Sequence, residues 1–362
     1  MLPLLRPALV YGTGVALLLG LGQFTAPLLL GANQGITVLT TDMYDQTQQI
    51  PPQYGLAAAI GSPLLLFGIL VLFANRILLG NHSRFITHGG KGGFRSGTRG
   101  SWSAATVIIL YGVFTTVLPI LALVVVSLSR FWSGVFDVHQ FTLATWRTVP
   151  TASGVLPAIY NSIELSVIAA AVTLVIGYVA AFYLRRQRYH RIATPVLDFV
   201  IAMPLSIPAV IFGVGFLMTY TNKPFVLYGT KWVIVLVYIT LMIPFATRMI
   251  LSGLAALGDA YIEAARVSGA GVVRTHLQIL APLLRTFGGA LALMFILLSH
   301  EFAASLLVRA PTVNVMGTIL YDYYENGGYP LVAVISLIMV GVTTAGVIVA
   351  LILGGSESFK KL

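Results

Sequence analysis

Residues 263–282 read EAARVSGAGVVRTHLQILAP and lie between two long apolar runs, 231–251 and 283–307. Leu254, Leu257, Tyr261 and then Ala264 or Ala265 recur at helical spacing, which predicts one amphipathic helix over residues 254–267 with a single buried side. Gly269 supplies a backbone that tolerates positive φ and ends that helix. Val273, Leu277, Leu280 and Leu284 give a second helix its apolar face, and Pro282 is expected where the chain turns into the apolar layer. Ala264 and Ala265 are small enough to let a groove of another protein approach. Glu263 is placed to bond backbone or basic groups and so fix the angle between the two helices.

The rest of the chain explains what such a hairpin is attached to. With 57% hydrophobic and 9% charged residues in 362, and a mean hydropathy of +0.92, the chain carries far more apolar surface than a water-facing globule tolerates. A helix needs about 20 mostly apolar residues to cross the hydrocarbon layer. Eight stretches qualify, near 7–30, 56–79, 104–129, 156–184, 195–219, 231–251, 283–307 and 330–354. The expected fold is therefore all-α and polytopic, with about eight membrane spans.

The net charge of +10 follows the same topology. Loops on one side hold Arg76, Arg84, Lys91, Arg95, Arg99, the cluster Arg185, Arg186, Arg188 and Arg191, and then Arg248, Arg266, Arg274, Arg285 and Lys360-Lys361. The other side has Arg130, Arg147, Lys223, Lys231 and Arg309. The positive-inside rule makes the first set cytoplasmic, and Glu263 with it. Basic residues distributed this way report membrane orientation and call for no nucleic-acid partner.

Several chemistries are excluded by what the chain contains. It has no cysteine, so disulfides and thiolate metal sites are absent. His300-Glu301 lacks the second histidine that zinc chelation on one helix face requires. Gly89-Gly90-Lys91-Gly92-Gly93 lacks the Ser or Thr of a phosphate-binding loop, so the chain carries no ATPase site of its own and no resident metal or cofactor is expected.

Self-comparison reveals a second copy of the last third. Pro3-Leu4-Leu5-Arg6 matches Pro282-Leu283-Leu284-Arg285, and Phe24-Thr25-Ala26-Pro27-Leu28-Leu29 matches Phe302-Ala303-Ala304-Ser305-Leu306-Leu307. Tyr44-Asp45 matches Tyr321-Asp322, and Tyr54 to Ile60 matches Tyr329 to Ile335. Residues 1–79 thus read as a partial first half holding only its last two spans. Residues 80–103 read as a cytoplasmic basic Gly/Ser linker, and 104–362 as a complete six-span half with its loop at 253–283. In that register the glutamate equivalent to Glu263 falls before Met1, so the chain is expected to be the back part of a fused double unit. The competing account of the N-terminus is a secretory signal ending at Phe24-Thr25-Ala26, which the following Pro27 disfavours.

The spacing Glu263-Ala264-Ala265, three residues, Gly269, nine residues, Ile279, Pro282 resembles the cytoplasmic coupling loop of binding-protein-dependent ABC transporter permeases, the type I importers with a MetI-like fold. Ala281 stands where that family usually has Leu. The resemblance covers residues 104–362. It implies a permease subunit of a bacterial inner membrane, not itself an enzyme, moving cargo by alternating access. It also implies that the loop docks into a cytoplasmic ATPase, in two copies, which uses the ATP. A periplasmic or lipid-anchored binding protein delivers cargo, lipid surrounds the spans, and another permease chain would complete the assembly.

Glu164 and Glu301 are the two carboxylates clearly inside expected spans, both in the outer half, and are candidate translocation-pathway residues because intramembrane charge is retained for a partner or a path. Two carboxylates on a cation path suit a hard metal with oxygen ligands as cargo. The alternative is structural: Glu301 pairing with Arg309 or Arg130, and Glu164 bonding Asn161 and Ser162. Residues 301–329 resemble the ferric-iron branch of these permeases, where fused double halves also occur, although His300 stands where that branch commonly has Arg. Relatives carrying thiamine, polyamines or phosphonates share much of the pattern. From another class, a secondary transporter or channel would place coupling-ion groups at helices broken by Pro or Gly, and Pro204 and Pro208 mark one such break with few ionisable neighbours.

Overall fold

The computed structural model describes residues 12–14, 16–79, 102–185, 193–257 and 260–354. The expected linker 80–103 apart from its last two residues, the cluster Arg186, Arg188 and Arg191, the tail Lys360-Lys361 and the Pro3-to-Arg6 match lie outside the described residues.

Helices dominate the described residues. Five are long and apolar enough to cross a membrane: α2 (Tyr54–Leu79), α3 (Trp102–Ser127, with a π-helical turn at Val113–Val117), α4 (Val155–Arg185), α7 (Lys231–Leu257) and α12 (Tyr329–Gly354). Each coincides with an expected span, because a continuous apolar run in lipid has to satisfy its backbone internally. A sixth expected span, 195–219, is a broken pair. Here α5 (Ala193–Ala202) runs into a 3-10 turn at Met203–Ser206, and the chain bends by 105° into α6 (Ala209–Tyr220). Pro204 and Pro208 remove two amide donors, and Pro208 forces Ile207 to an extended φ of −108°, so hydrophobicity continues where the helix cannot.

The remaining two expected spans are corrected by the structure. Residues 283–307 do not form one helix. Instead α9 (Val272–Ser299) begins well before this stretch and stops at His300, and the chain restarts as the short α10 (Ala303–Val308). Residues 16–21, inside the expected span 7–30, are likewise helical. Gln23 and Phe24 lie outside any helix before the chain turns helical again at Thr25.

The packed centre is the α4–α7 pair with α9 beside it. A Cβ at Gly177 of α4 would lie 2.6 Å from the Ala246 side chain of α7, so only glycine permits this backbone approach. Elsewhere along these helices Leu165, Ala169, Val237, Tyr238, Met294 and Leu298 belong to one buried apolar cluster.

The two stretches aligned by self-comparison fold alike. Helices α1 (Leu39–Gln48) and α11 (Met316–Glu325) both have ten residues, and α2 and α12 both have 26. Extended Val38 and Val315 precede the ten-residue pair. Each valine N–H donates to a threonine hydroxyl three residues on, Thr41 Oγ1 at 2.9 Å and Thr318 Oγ1 at 3.0 Å, and each hydroxyl donates back to the valine carbonyl at 2.9 Å. These reciprocal bonds satisfy an orphan donor at the start of each helix. Thr40 Oγ1 also donates to the Gln23 carbonyl at 2.6 Å, while Gly317, its counterpart, sits so close to the Glu301 carbonyl that a Cβ would approach within 3.3 Å.

Candidate functional site

The hairpin between α7 and α9 forms around α8 (Ala260–Val267). Its C-terminus is a glycine turn in which Gly269 has φ +73° and donates to the Arg266 carbonyl at 3.0 Å, while Ala270 donates to the Ala265 carbonyl at 3.0 Å. Those are the two bonds of a Schellman cap. Ser268 adds two bonds to the Ala264 carbonyl, from its amide at 3.0 Å and its hydroxyl at 2.8 Å. The carbonyls of Ala264 and Ala265 thus anchor the turn that the sequence assigned to Gly269.

Four details differ from expectation. Leu254 and Leu257 belong to the end of α7, with Leu254 buried against Ala181 and Ile250; Gly258 and Asp259 lie outside the described residues. Ile262, not Tyr261, faces that cluster, and Tyr261 is 65% exposed. Glu263 is exposed and makes no hydrogen bond or ion pair among the described residues, so it does not fix the hairpin angle through them. Ile279 and Pro282 lie within α9, which continues through Pro282 instead of turning there.

The exposed side of α8 carries Tyr261, Ala264 and Val267, spaced three apart, and Val267 is 91% exposed. Tyr261 and Val267 thus leave two apolar side chains uncovered on one helical stripe. Helical spacing alone indicated a stripe here but pointed it inward. The signal that distinguishes the faces is Ile262, which shares an apolar cluster with Leu251 and Phe287.

The two intramembrane carboxylates are not brought together. Lys231, the first residue of α7, donates to Glu164 Oε1 at 2.6 Å, and Oε2 is buried with no hydrogen-bond partner among the described residues. Asn161 bonds the Asn314 carbonyl and the Ser162 hydroxyl accepts from the Met316 amide, so neither serves Glu164. Glu301 accepts from the Ala304 amide at 2.9 Å, the Ser305 amide at 3.0 Å and the Ser305 hydroxyl at 2.6 Å, which caps α10. Ser305 spends its proton on Glu301, so Tyr238, at 2.9 Å from Ser305 Oγ, is the donor in that contact. Arg309 does not pair with Glu301. Its guanidinium grips Asp322 with two bonds of 2.7 and 2.6 Å and also reaches Asn314 and the Thr318 carbonyl.

A cavity of ≈ 460 Å³ opens between α1 and α11. Tyr44, Tyr54 and Tyr228 line it with Gln48 and Asn314, and its charged groups are Arg309 and Asp322. Beside it, Phe24 stacks on Phe302 with centroids 5.8 Å apart and Tyr44 meets Tyr321 edge-on at 6.3 Å. Within each stretch the matching contact, Phe24–Tyr44 or Phe302–Tyr321, measures 5.7 Å. The four rings thus pair each residue with its counterpart. Burial pushes the Tyr44 and Tyr321 hydroxyls above the ordinary phenol range, so both remain neutral donors.

Residues 173–355, just over half of the chain, match the family described as binding-protein-dependent transport system inner membrane component. The ferric transport system permease protein FbpB of Actinobacillus pleuropneumoniae is 24% identical over 357 residues, covering 95% of this chain and 50% of that protein. The chain therefore spans about half the length of that relative. A putative 2-aminoethylphosphonate transport system permease protein, PhnV of Salmonella typhimurium, is also 24% identical, over 68% of this chain and 91% of its own length. Among solved structures, a bacterial ABC transporter involved in import of the acidic polysaccharide alginate aligns with TM-score 0.58 at 14% identity, covering 71% of this chain and 94% of that one.

Proposed function

Because the chain belongs to the binding-protein-dependent transport system inner membrane components, we propose that it moves ferric iron inward by alternating access, driven by a separate ATPase. Family membership makes it a multi-pass inner-membrane permease of a bacterial ABC importer, a class of subunit without an ATPase domain. The observation that carries the coupling role is the α8 turn, where a Schellman cap at Gly269 presents the Tyr261–Ala264–Val267 stripe to the side rich in Arg and Lys. Glu263, Ala264, Ala265, Gly269, Ile279 and Pro282 are its elements in this reading, with the stripe as the surface the ATPase grips. A loaded binding protein would dock on the opposite side.

The arrangement into a partial half at 1–79, a linker at 80–103 and a six-span half at 104–362 is part of the same proposal. Equal helix lengths and equal caps in the two stretches support it. So does the alignment of 95% of this chain with half of a longer ferric permease. In this reading Glu164 and Glu301 border the pathway while held by their own partners. Glutamine at both positions should lower uptake, and full uptake would remove them from the pathway.

Iron rests on the longer alignment, and the phosphonate permease, equally identical over less of the chain, keeps phosphonate as the second reading. The coupling proposal is tested with Gly269→Pro, since proline cannot adopt φ +73° and lacks the amide that bonds Arg266. Normal membrane insertion with loss of both ATPase co-purification and uptake is expected. Unchanged uptake would refute the loop's role, and uptake independent of any ATPase would favour a secondary transporter.

A further inference from the structure

The ≈ 460 Å³ cavity lies on the side poor in Arg and Lys, which the positive-inside rule makes the outer side. It adjoins the place where Phe24 meets Phe302 and Tyr44 meets Tyr321, so the two matched stretches close on each other next to it. A path between two like units has to open where they meet, and Tyr44, Leu306 and Leu307 belong both to the cavity wall and to that aromatic cluster. The cavity is thus placed as an entrance above a closed contact.

Its chemistry restricts what can enter. Arg309 and Asp322 neutralise each other through two short bonds, and the other polar wall groups named above are phenols and amides. Among the described residues there is no group of three or more His, Cys, Asp or Glu side chains able to hold a metal ion. A bare trivalent cation leaving water needs several anionic oxygens around it, and here it would find one carboxylate already held by a guanidinium. A solute whose charge is balanced within itself meets no such obstacle. Its hydroxyl and carboxylate oxygens match phenol and amide donors, and the volume falls in the range that holds a small molecule.

We propose that this cavity is the entry site for cargo and that it admits iron only as a charge-compensated chelate with a small hydroxylated or carboxylated ligand. The inference rests on the iron reading above and narrows it. ATP-loaded right-side-out vesicles from the native membrane, supplied with the extracytoplasmic proteins washed from the same cells, would be given ferric citrate labelled separately in iron and in citrate. Vesicles lacking this chain provide the blank. Accumulation of both labels in a fixed ratio is the expected result. Iron without citrate overturns the chelate inference and leaves the iron reading standing; accumulation of neither label overturns the iron reading itself.

Neutrality of the wall has its own test. Arg309→Gln leaves Asp322 unbalanced and should lower dual-label uptake at least about tenfold, with Arg309→Gln/Asp322→Asn recovering to within about twofold of the unaltered protein. Equal loss in both, at equal membrane abundance, makes the pair merely structural and rejects the neutrality argument. Should the double variant fail to accumulate in the membrane, the label ratio on the unaltered chain decides alone.

Discussion

Residues 23–79 and 301–354 share a backbone plan and differ in charge. Both leave a helix at the same point, restart, cap a ten-residue helix through Val and Thr, and end in a 26-residue span. Yet Gln23 stands where Glu301 caps α10, and Asp45 where Asp322 is gripped by Arg309. The turn and helix plan rests on uncharged hydroxyls and backbone amides common to both. Among the described residues, Glu301 and the Arg309–Asp322 pair fasten the later stretch, where α10 and the cavity wall are built, whereas in the earlier one Asp42 accepts from Gln46 along α1.

The comparison breaks most readily at Gly68. A Cβ there would lie 1.9 Å from the Ser206 carbonyl, so Gly68→Ala should destabilise by about 3 kcal/mol, since backbone has to move. The same position along α12 is Thr343, which already carries a side chain, and Thr343→Gly should cost only about 1 kcal/mol. Thermal unfolding midpoints of the two variants in detergent would separate them. Next in size, Arg309→Ala removes four hydrogen bonds and strands a partly exposed carboxylate, an expected loss of about 2 kcal/mol on the same assay.

Smaller effects sharpen the likeness. Thr41→Val and Thr318→Val should each cost about 1 kcal/mol and agree within about 0.5, because the cap bonds lost are the same and Thr318 adds only a long 3.5 Å contact to Asn314. A large inequality would mean that the shared cap is not what starts both helices. The smallest effect belongs to Asp45, whose carboxyl is pushed up first by partial burial and then by Asp42. An acid with a raised folded-state pKa binds its proton more tightly when folded. Its stabilising contribution is therefore present at low pH and fades as pH rises through and just above the usual carboxylate range. Asp45→Asn should flatten that drift in the unfolding midpoint while changing stability near neutrality by no more than about 0.5 kcal/mol.

Much of this was legible before any coordinates. Gly269 could be identified because a positive φ leaves a compositional mark, and the two like stretches because Phe24, Tyr44 and Tyr54 keep their order and spacing. Lys231 reaching Glu164 puts these two residues at the same level of the bundle, as expected from the apolar runs. What hydropathy hides is a helix that stops inside an apolar run. The break at His300 exists because Glu301 takes the Ala304 and Ser305 amides, and a carboxylate within a hydrophobic stretch looks the same whether it caps or lines a path. Nor does spacing tell which side of α8 is covered, since that depends on Ile262 meeting residues from α7 and α9. The Arg309–Asp322 grip joins residues thirteen apart around a turn, and no periodicity announces it.

The stacked pair Phe24–Phe302 also has a consequence in time. Its two rings are 278 positions apart in the chain. At about 5–20 residues per second of synthesis, the earlier ring waits roughly 14–56 s for the later one to be made. For about half of that interval α2 also rests in lipid with Gly68 uncovered, because its Ser206 neighbour is made 138 positions later. Assembly is thus a delayed docking of an early-inserted segment onto a late one, and a chaperone or insertase that shields the early segment would raise the yield of correctly closed protein.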